Sequence, residues 1–301
     1  MLYFLSASQS VMEVLIPVEA EPYLYKKEIK TLEYQTLWNQ MYSYITTLPK
    51  KLKGIIHKEY FDGLEKLELT DKIPTVDHIN DKLAKIGWRI VLVNGFLPSY
   101  VYVKLQEAQI FPVSCQFRQK HQMNFSPIAD FLHDVYGHLP FLFSEDYRTL
   151  LRNWYELANK CTFNSYDEEH YQAADYITRL ATDPNVSEDQ LSNAFKKLDT
   201  SRNKINLTPS NFSYFEKFYT WFFEFGVCRC IDGPKTIGAA VITSLDELNN
   251  LYTNISKLTD IQQIDYQTDI EYSNKQNKYY QGNFLEAHDA LLLAKNKAEI
   301  I

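Results

Sequence analysis

Glycine is scarce in this sequence, nine in 301 residues, and neither G-x-G-x-x-G nor G-x-x-x-x-G-K-[ST] occurs. Glycine-rich loops that cradle phosphates are thereby excluded as the source of function. Cysteine is sparse as well. Cys115, Cys161, Cys228 and Cys230 show no C-x-x-C spacing, which fits a reduced intracellular protein better than a disulfide scaffold. Positive charge is in deficit, with a net charge of −7, whereas a nucleic-acid footprint needs concentrated Lys and Arg. The short basic run from Lys50 to Gly54 reads as a solvated face. No stretch approaches about eighteen uninterrupted apolar residues, so no membrane span is expected. The N-terminal MLYFLSASQS has no basic residues ahead of its apolar ones and is soon followed by Glu13 and Glu19, which argues against a secretory signal. The expected location is the cytoplasm, with neither nucleic acid nor membrane as partner.

Aromatic residues are plentiful instead, at 15% with 22 Tyr and 18 Phe, and large rings favour deep apolar pockets as well as cores. Hydrophobic content of 45% and charged content of 23% are ordinary for a globular protein. The expected fold is α+β and mostly helical, a single domain over 1–301 with small β elements. Apolar spacing predicts a helix within Lys26–Leu48 and another from Thr75, its cap, to Gly87, its stop. Short strands are expected in WRIVLVNGF and FPVSCQF, flanking a helix in SYVYVKLQEAQI. A further helix is expected to start at Ser126-Pro127, a favourable cap and first-turn pair, and to close at Pro140. After a polar helical stretch, an aromatic helix follows Pro209. KTIGAAVITS reads as strand and turn, and a last helix runs from Leu285 to Lys297.

The stretch SPIADFLHDVYGHLPFLF, Ser126 to Phe143, carries two histidines five residues apart. On an ideal α-helix that spacing separates them by about 140°, unlike the four-residue spacing of zinc proteases. Gly137 and Pro140 would let the last turn deform and bring His138 toward His133. Taken alone, the stretch is equally a pair of packed core histidines. The weight shifts with Glu224, which lies in the aromatic run FYTWFFEFGVC. A buried carboxylate without a partner costs several kcal/mol, so a cation is expected beside it. Two histidines and one carboxylate on one face of an octahedron would leave positions open for oxygen and substrate.

The pattern SPxxDxxHDxxGHxP, followed by FEFG and KxxGAxxxTS, resembles the pterin-dependent aromatic amino acid hydroxylases. The likeness runs from about Asp71 to Glu286. It implies a catalytic domain of that type and iron(II) held by His133, His138 and Glu224. It also implies a tetrahydropterin set against Leu97 and Ser99 with Tyr102 under its ring. Arg118 then matches the arginine that pairs with the substrate carboxylate, Asp130 the acid holding it, and Ser126 a hydroxyl beside that carboxylate. Thr243, in the same substrate-side set, matches a hydroxyl that orients the first histidine. Asp134 stands where the family has a catalytic Glu.

The chain departs from the family in four places. Ile128 and Ala129 replace the Glu-Pro of the family's PEPD. Asp134 is one methylene short. Thr220 takes a tryptophan's place, with Trp221 displaced by one. Finally, 85 residues lie between His138 and Glu224, roughly twice the family's gap, which implies a helical insertion at about 147–210. The implied activity is hydroxylation of an aromatic amino acid by O2, phenylalanine to tyrosine first. The alternatives are another aromatic substrate, ring position or reductant, or an inactive metal-binding homologue. With no long regulatory or heptad segment in the sequence, a monomer or dimer is expected.

Overall fold

Local signals set most element boundaries. The computed structural model describes residues 16–27, 29, 31–181, 183, 185–266 and 274–299; Met1–Ser10 and Glu13 lie outside them. The first half holds α1 (Leu32–Thr46), α2 (Lys50–Lys53), α3 (Lys58–Leu67), α4 (Val76–Leu83), β1 (Arg89–Val93), α5 (Ser99–Glu107), β2 (Ile110–Ser114), α6 (Phe131–His133) and α7 (Glu145–Ala158). The second holds α8 (Ser165–Ala181), α9 (Glu188–Leu207), α10 (Asn211–Tyr219), β3 (Val227–Cys230), β4 (Gly233–Thr236), α11 (Ala239–Ile242), α12 (Leu245–Asn254), β5 (Thr259–Asp260), β6 (Tyr280–Gln281) and α13 (Phe284–Lys297). The expected class holds: the described residues are mostly helical with two small sheets. Among the described residues no helix is long and apolar enough to cross a membrane.

Thr75 caps α4 as expected, its hydroxyl accepting from the His78 amide, and Gly87 turns the chain at φ +76°. β1 and β2 pair in parallel through α5. Their side chains alternate between two environments. Ile90 and Leu92 enter the main core, while Val91 and Val93 pack with Val101, Leu105 and Ile110 in a smaller cluster beneath α5. The second sheet runs β4-β3-β6-β5.

Two expectations need correction. The helix at the motif does not start at Ser126-Pro127. The Ser126 hydroxyl donates to the Ile128 carbonyl, a local turn, and α6 starts at Phe131 with the Asp130 carboxylate accepting the His133 amide at 2.9 Å. A carboxylate at the helix end also favours the dipole, so it outcompetes the hydroxyl four residues upstream. Nor does Pro140 end the helical path, because it occupies the second position of a 3-10 turn, Leu139–Phe143. In KTIGAAVITS only the first two residues are strand. Ala239–Ile242 is helical, and the preceding strand pair β3–β4 lies in a segment with little β-type alternation to announce it.

The stretch 147–210 divides in two. Tyr147, Leu150, Leu151 and Trp154 of α7 belong to the main core. α8 and α9 pack on each other as a hairpin around their own small cluster of Ile177, Ala194 and Leu198, against which Ile128 rests.

Candidate metal centre and its cavity

His133 ends α6, and the next five residues, Asp134–His138, form a π turn. Its i→i+5 hydrogen bonding aligns residues five apart, so the deformation expected near Gly137 takes a specific form and sets the imidazoles side by side. Gly137 is needed for close approach: a Cβ there would stand 2.7 Å from the Ala239 Cβ of α11. A second π turn, Thr220–Glu224, ends α10 and aligns Tyr219 with Glu224 in the same way. The Glu224 carbonyl then packs so tightly on Gly238 that a Cβ would come within 2.4 Å.

The three side chains meet. His133 Nε2 lies 3.1 Å from His138 Nε2 and 3.2 Å from Glu224 Oε2, while His138 Nε2 lies 3.0 Å from Glu224 Oε1. The Thr243 hydroxyl gives its hydrogen to the Ala239 carbonyl, so toward His133 Nδ1, at 3.2 Å, it can only accept. That assignment puts the proton on Nδ1 and turns the Nε2 lone pair inward. On the far side of His138, Tyr147 brings its hydroxyl to 3.4 Å from Nδ1. Burial disfavours charge on both imidazoles. At His133 the Glu224 carboxylate outweighs it and the pKa rises; at His138 burial prevails and the pKa falls. Burial would raise the Glu224 pKa too, but His138 and His133 hold it well below the usual carboxylate range.

Lone pairs of two imidazoles facing a carboxylate fit a cation between them. An octahedral face with bonds of about 2.1 Å has edges of about 3.0 Å, and a tetrahedron with the same bonds about 3.4 Å. With the carboxylate presenting one oxygen to each imidazole, the separations of 3.0–3.2 Å fit a two-histidine, one-carboxylate metal centre.

These residues border a cavity of about 320 Å³, also lined by Leu97, Ser99, Tyr102, Arg118, Ser126, Asp134 and Thr243. Of the expected site residues only Asp130 does not line it. It sits behind, 0% exposed, and accepts from the Arg118 amide at 2.7 Å, Arg118 Nε at 3.1 Å, Arg118 NH2 at 2.8 Å and the His133 amide. Arg118 NH1 donates to the Thr243 carbonyl at 2.9 Å. Arg118, Asp130, His133 and Thr243 thus close a ring of hydrogen bonds. The two-pronged edge of the guanidinium faces Asp130, leaving two of its five N–H groups for the cavity. Asp134 accepts the Ser114 amide at 2.7 Å, and burial pushes its pKa up to about 7 against the opposing pull of His133.

Tyr102 is enclosed edge-on by Phe111, Trp154 and Tyr219, and its hydroxyl meets that of Tyr219 at 2.5 Å. Thr220 faces the cavity, whereas Trp221 is 1% exposed and packs on Tyr280 in the core, so the displaced tryptophan does not refill the space. The far wall comes from the hairpin. His170, Ala174, Ile177 and Thr178 of α8 and Leu198 of α9 line the cavity, and Asp175 accepts the Phe96 amide at 3.1 Å beside Leu97. Tyr147, Tyr219 and the α8 wall were not anticipated. Tyr219 alone had a legible signal, being five residues before Glu224 as His133 is before His138.

A sequence model of the biopterin-dependent aromatic amino acid hydroxylases matches residues 15–154, which include both histidines but not Glu224 or Thr243. A phenylalanine-4-hydroxylase of Mesorhizobium japonicum is 34% identical over 111 residues, covering 36% of this chain and 39% of its own length. One from Chromobacterium violaceum is 38% identical over 95 residues, covering 31% of this chain and 32% of its own. The aligned part thus spans two fifths or less of these relatives. In fold the likeness is longer. The C. violaceum phenylalanine hydroxylase structure with bound iron(III) and 7,8-dihydrobiopterin superposes with a TM-score of 0.67 at 21% identity, over 93% of this chain and 88% of that one. Its iron- and phenylalanine-bound form gives 0.61 at 19%, over 93% and 89%. Residues 15–154 are thus similar in sequence to the biopterin-dependent aromatic amino acid hydroxylases, and the fold is similar to that of a phenylalanine hydroxylase over nearly the whole length.

Proposed function

We propose that this protein is a mononuclear iron(II), tetrahydropterin-dependent monooxygenase that hydroxylates the ring of an aromatic amino acid, phenylalanine to tyrosine foremost. The observation that carries the proposal is the convergence of His133 Nε2, His138 Nε2 and the Glu224 carboxylate at 3.0–3.2 Å on the edge of an aromatic-lined cavity. Iron(II) and tetrahydropterin, when bound, would supply dioxygen activation and two electrons, chemistry no side chain here provides. The protein's part is placement. His133, held through Thr243, and His138 would be neutral ligands, and Glu224 the anionic one. Leu97, Ser99 and Tyr102 would border the pterin. Arg118 would offer its two remaining N–H groups to the substrate carboxylate, with Ser126 beside it and Asp130 fixing the guanidinium from behind. Asp134, whose pKa burial raises, would present to the cavity the oxygen that Ser114 leaves free.

A second reading, a bulkier or more polar aromatic substrate, is favoured by one observation. Ala129 and Thr220 leave room in the cavity, and the α8 side adds His170 and Thr178, while Glu216 of α10 also borders it. Anaerobic loading with iron(II), followed by product analysis with phenylalanine, tryptophan and tyrosine with and without tetrahydropterin, tests both. Pterin-dependent hydroxylated product is expected, and its identity chooses between the readings. No product from any of the three would refute the proposal.

A further inference from the structure

A second group of metal-type ligands lies away from the cavity. His57, Cys228 and Cys230 bring their ligand atoms within 4.8 Å of one another. His57 caps α3, and its amide donates to the Thr236 carbonyl at 3.0 Å, which docks the segment before α3 on β4. Cys228 and Cys230 are two apart on β3 and point to one face, while Arg229 points to the other and bridges Asp260 and Glu286 at 2.7 Å each. His57 and Cys228 are buried, Cys230 half-buried. Close by, Glu59 Oε2 lies 3.9 Å from His57 Nδ1, shielded from solvent and without a hydrogen-bond partner.

We propose that His57, Cys228 and Cys230 form a second metal centre that takes zinc(II) through these three protein donors. Two thiolates and an imidazole are soft and borderline donors that suit zinc, and two thiolates balance its charge. A disulfide fits poorly: alternate residues of a strand are about 6.6 Å apart, at the upper limit of about 6.8 Å for bridged Cα atoms. The ladder to β4, pairing Cys228 with Lys235 and Cys230 with Gly233, resists the bend that closing it needs. Burial holds both thiols above their usual pKa, so binding exchanges two thiol protons for one zinc ion. Because β3 starts three residues after Glu224, the ion would pin the strand that leaves the first centre.

Cobalt(II) titration of the 301-residue chain tests this, because the first centre has no sulfur. Two equivalents should bind, one with thiolate-to-cobalt charge-transfer absorption that zinc(II) abolishes. Cys228→Ser/Cys230→Ser should lose that absorption and one equivalent while iron binding at the first centre persists. An absent band in folded protein, or an unchanged band in the double variant, would overturn the proposal. A variant-free measurement stands beside it. Zinc(II) should protect Cys228 and Cys230, and not Cys115 or Cys161, from alkylation as mapped by peptide mass, and equal labelling of all four would be as decisive against it.

Discussion

The two walls of the cavity are built differently. The wall of α6, the π turns and α11 is tied by a closed ring of hydrogen bonds through Arg118, Asp130, His133 and Thr243, all 6% exposed or less. The wall of α8 and α9 rests on a cluster of three fully buried apolar residues and on polar groups. Every ring member of the first wall is held by at least two partners, so its geometry is over-determined. The second wall can change without disturbing the donors. Of the positions that depart from the family pattern, Ile128 rests on the cluster of the second wall, whereas Asp134 and Thr220 belong to the π turns of the first.

The sharpest way to break the contrast is at the donors. Glu224→Gln keeps the shape and removes the charge, so iron affinity should fall by about two orders of magnitude or more with the melting temperature little changed. Full iron occupancy by metal analysis in this variant and in His133→Ala would mean the donors are misassigned. Next is the ring. Asp130→Ala leaves Arg118 buried and unpaired and removes the cap of α6, and denaturant unfolding should show a loss of about 3–5 kcal/mol. A loss below about 1 kcal/mol would make the ring incidental.

In the second wall, His170 Nδ1 donates to Ser201 Oγ at 3.0 Å, and burial, with Arg202 and Lys217 nearby, lowers its pKa to about 4. An unfolded histidine, with its higher pKa, takes up the proton first, so stability present above about pH 6.5 declines as pH falls toward about 4, by up to about 3 kcal/mol. Hydrogen-exchange protection factors in α8 and α9, taken relative to the intrinsic rate at each pH, should fall over that window, and His170→Asn should flatten the dependence. Smaller still is Thr243→Val, which removes the acceptor for His133 Nδ1. Iron affinity should drop by about tenfold to a hundredfold and return in Thr243→Ser. The smallest effect belongs to Thr220→Trp. Filling the cavity should shift the tryptophan-to-phenylalanine ratio of kcat/KM about tenfold toward phenylalanine, with iron content constant.

The same contrast explains what the sequence could disclose. His133, His138 and Glu224 stand out in the sequence by spacing and by a lone carboxylate in an aromatic run, and Arg118 and Thr243 only through the family resemblance; all five line one cavity. Thr75, Gly87 and the β1-α5-β2 unit are legible from caps and apolar spacing, and those features are local. The α6 cap lies at Asp130 and not at Ser126 because, although both satisfy the local rule, the helix dipole and Arg118, twelve residues upstream of Asp130, favour the carboxylate. Tyr147 behind His138 and α8 over the Phe96 amide are contacts between distant segments with no periodic signature. β3 and the first half of β4 carry little signal because Val-Cys-Arg-Cys and Gly-Pro have weak strand propensity, and their pairing is secured by tertiary packing instead.

A π turn is an α-helix carrying one residue more than its winding needs, and this centre uses two. The surplus residue separates two design variables that a plain helix links. Removing Val135 would leave the histidines four apart and still adjacent on a regular helix, so the donors could survive the deletion. Everything after it would rotate by about 100°, taking Leu139–Phe143 off α3 and Gly137 off Ala239. The extra residue therefore works as a phase adjuster: it lets the donors and the downstream core each keep their own register along one continuous piece of chain.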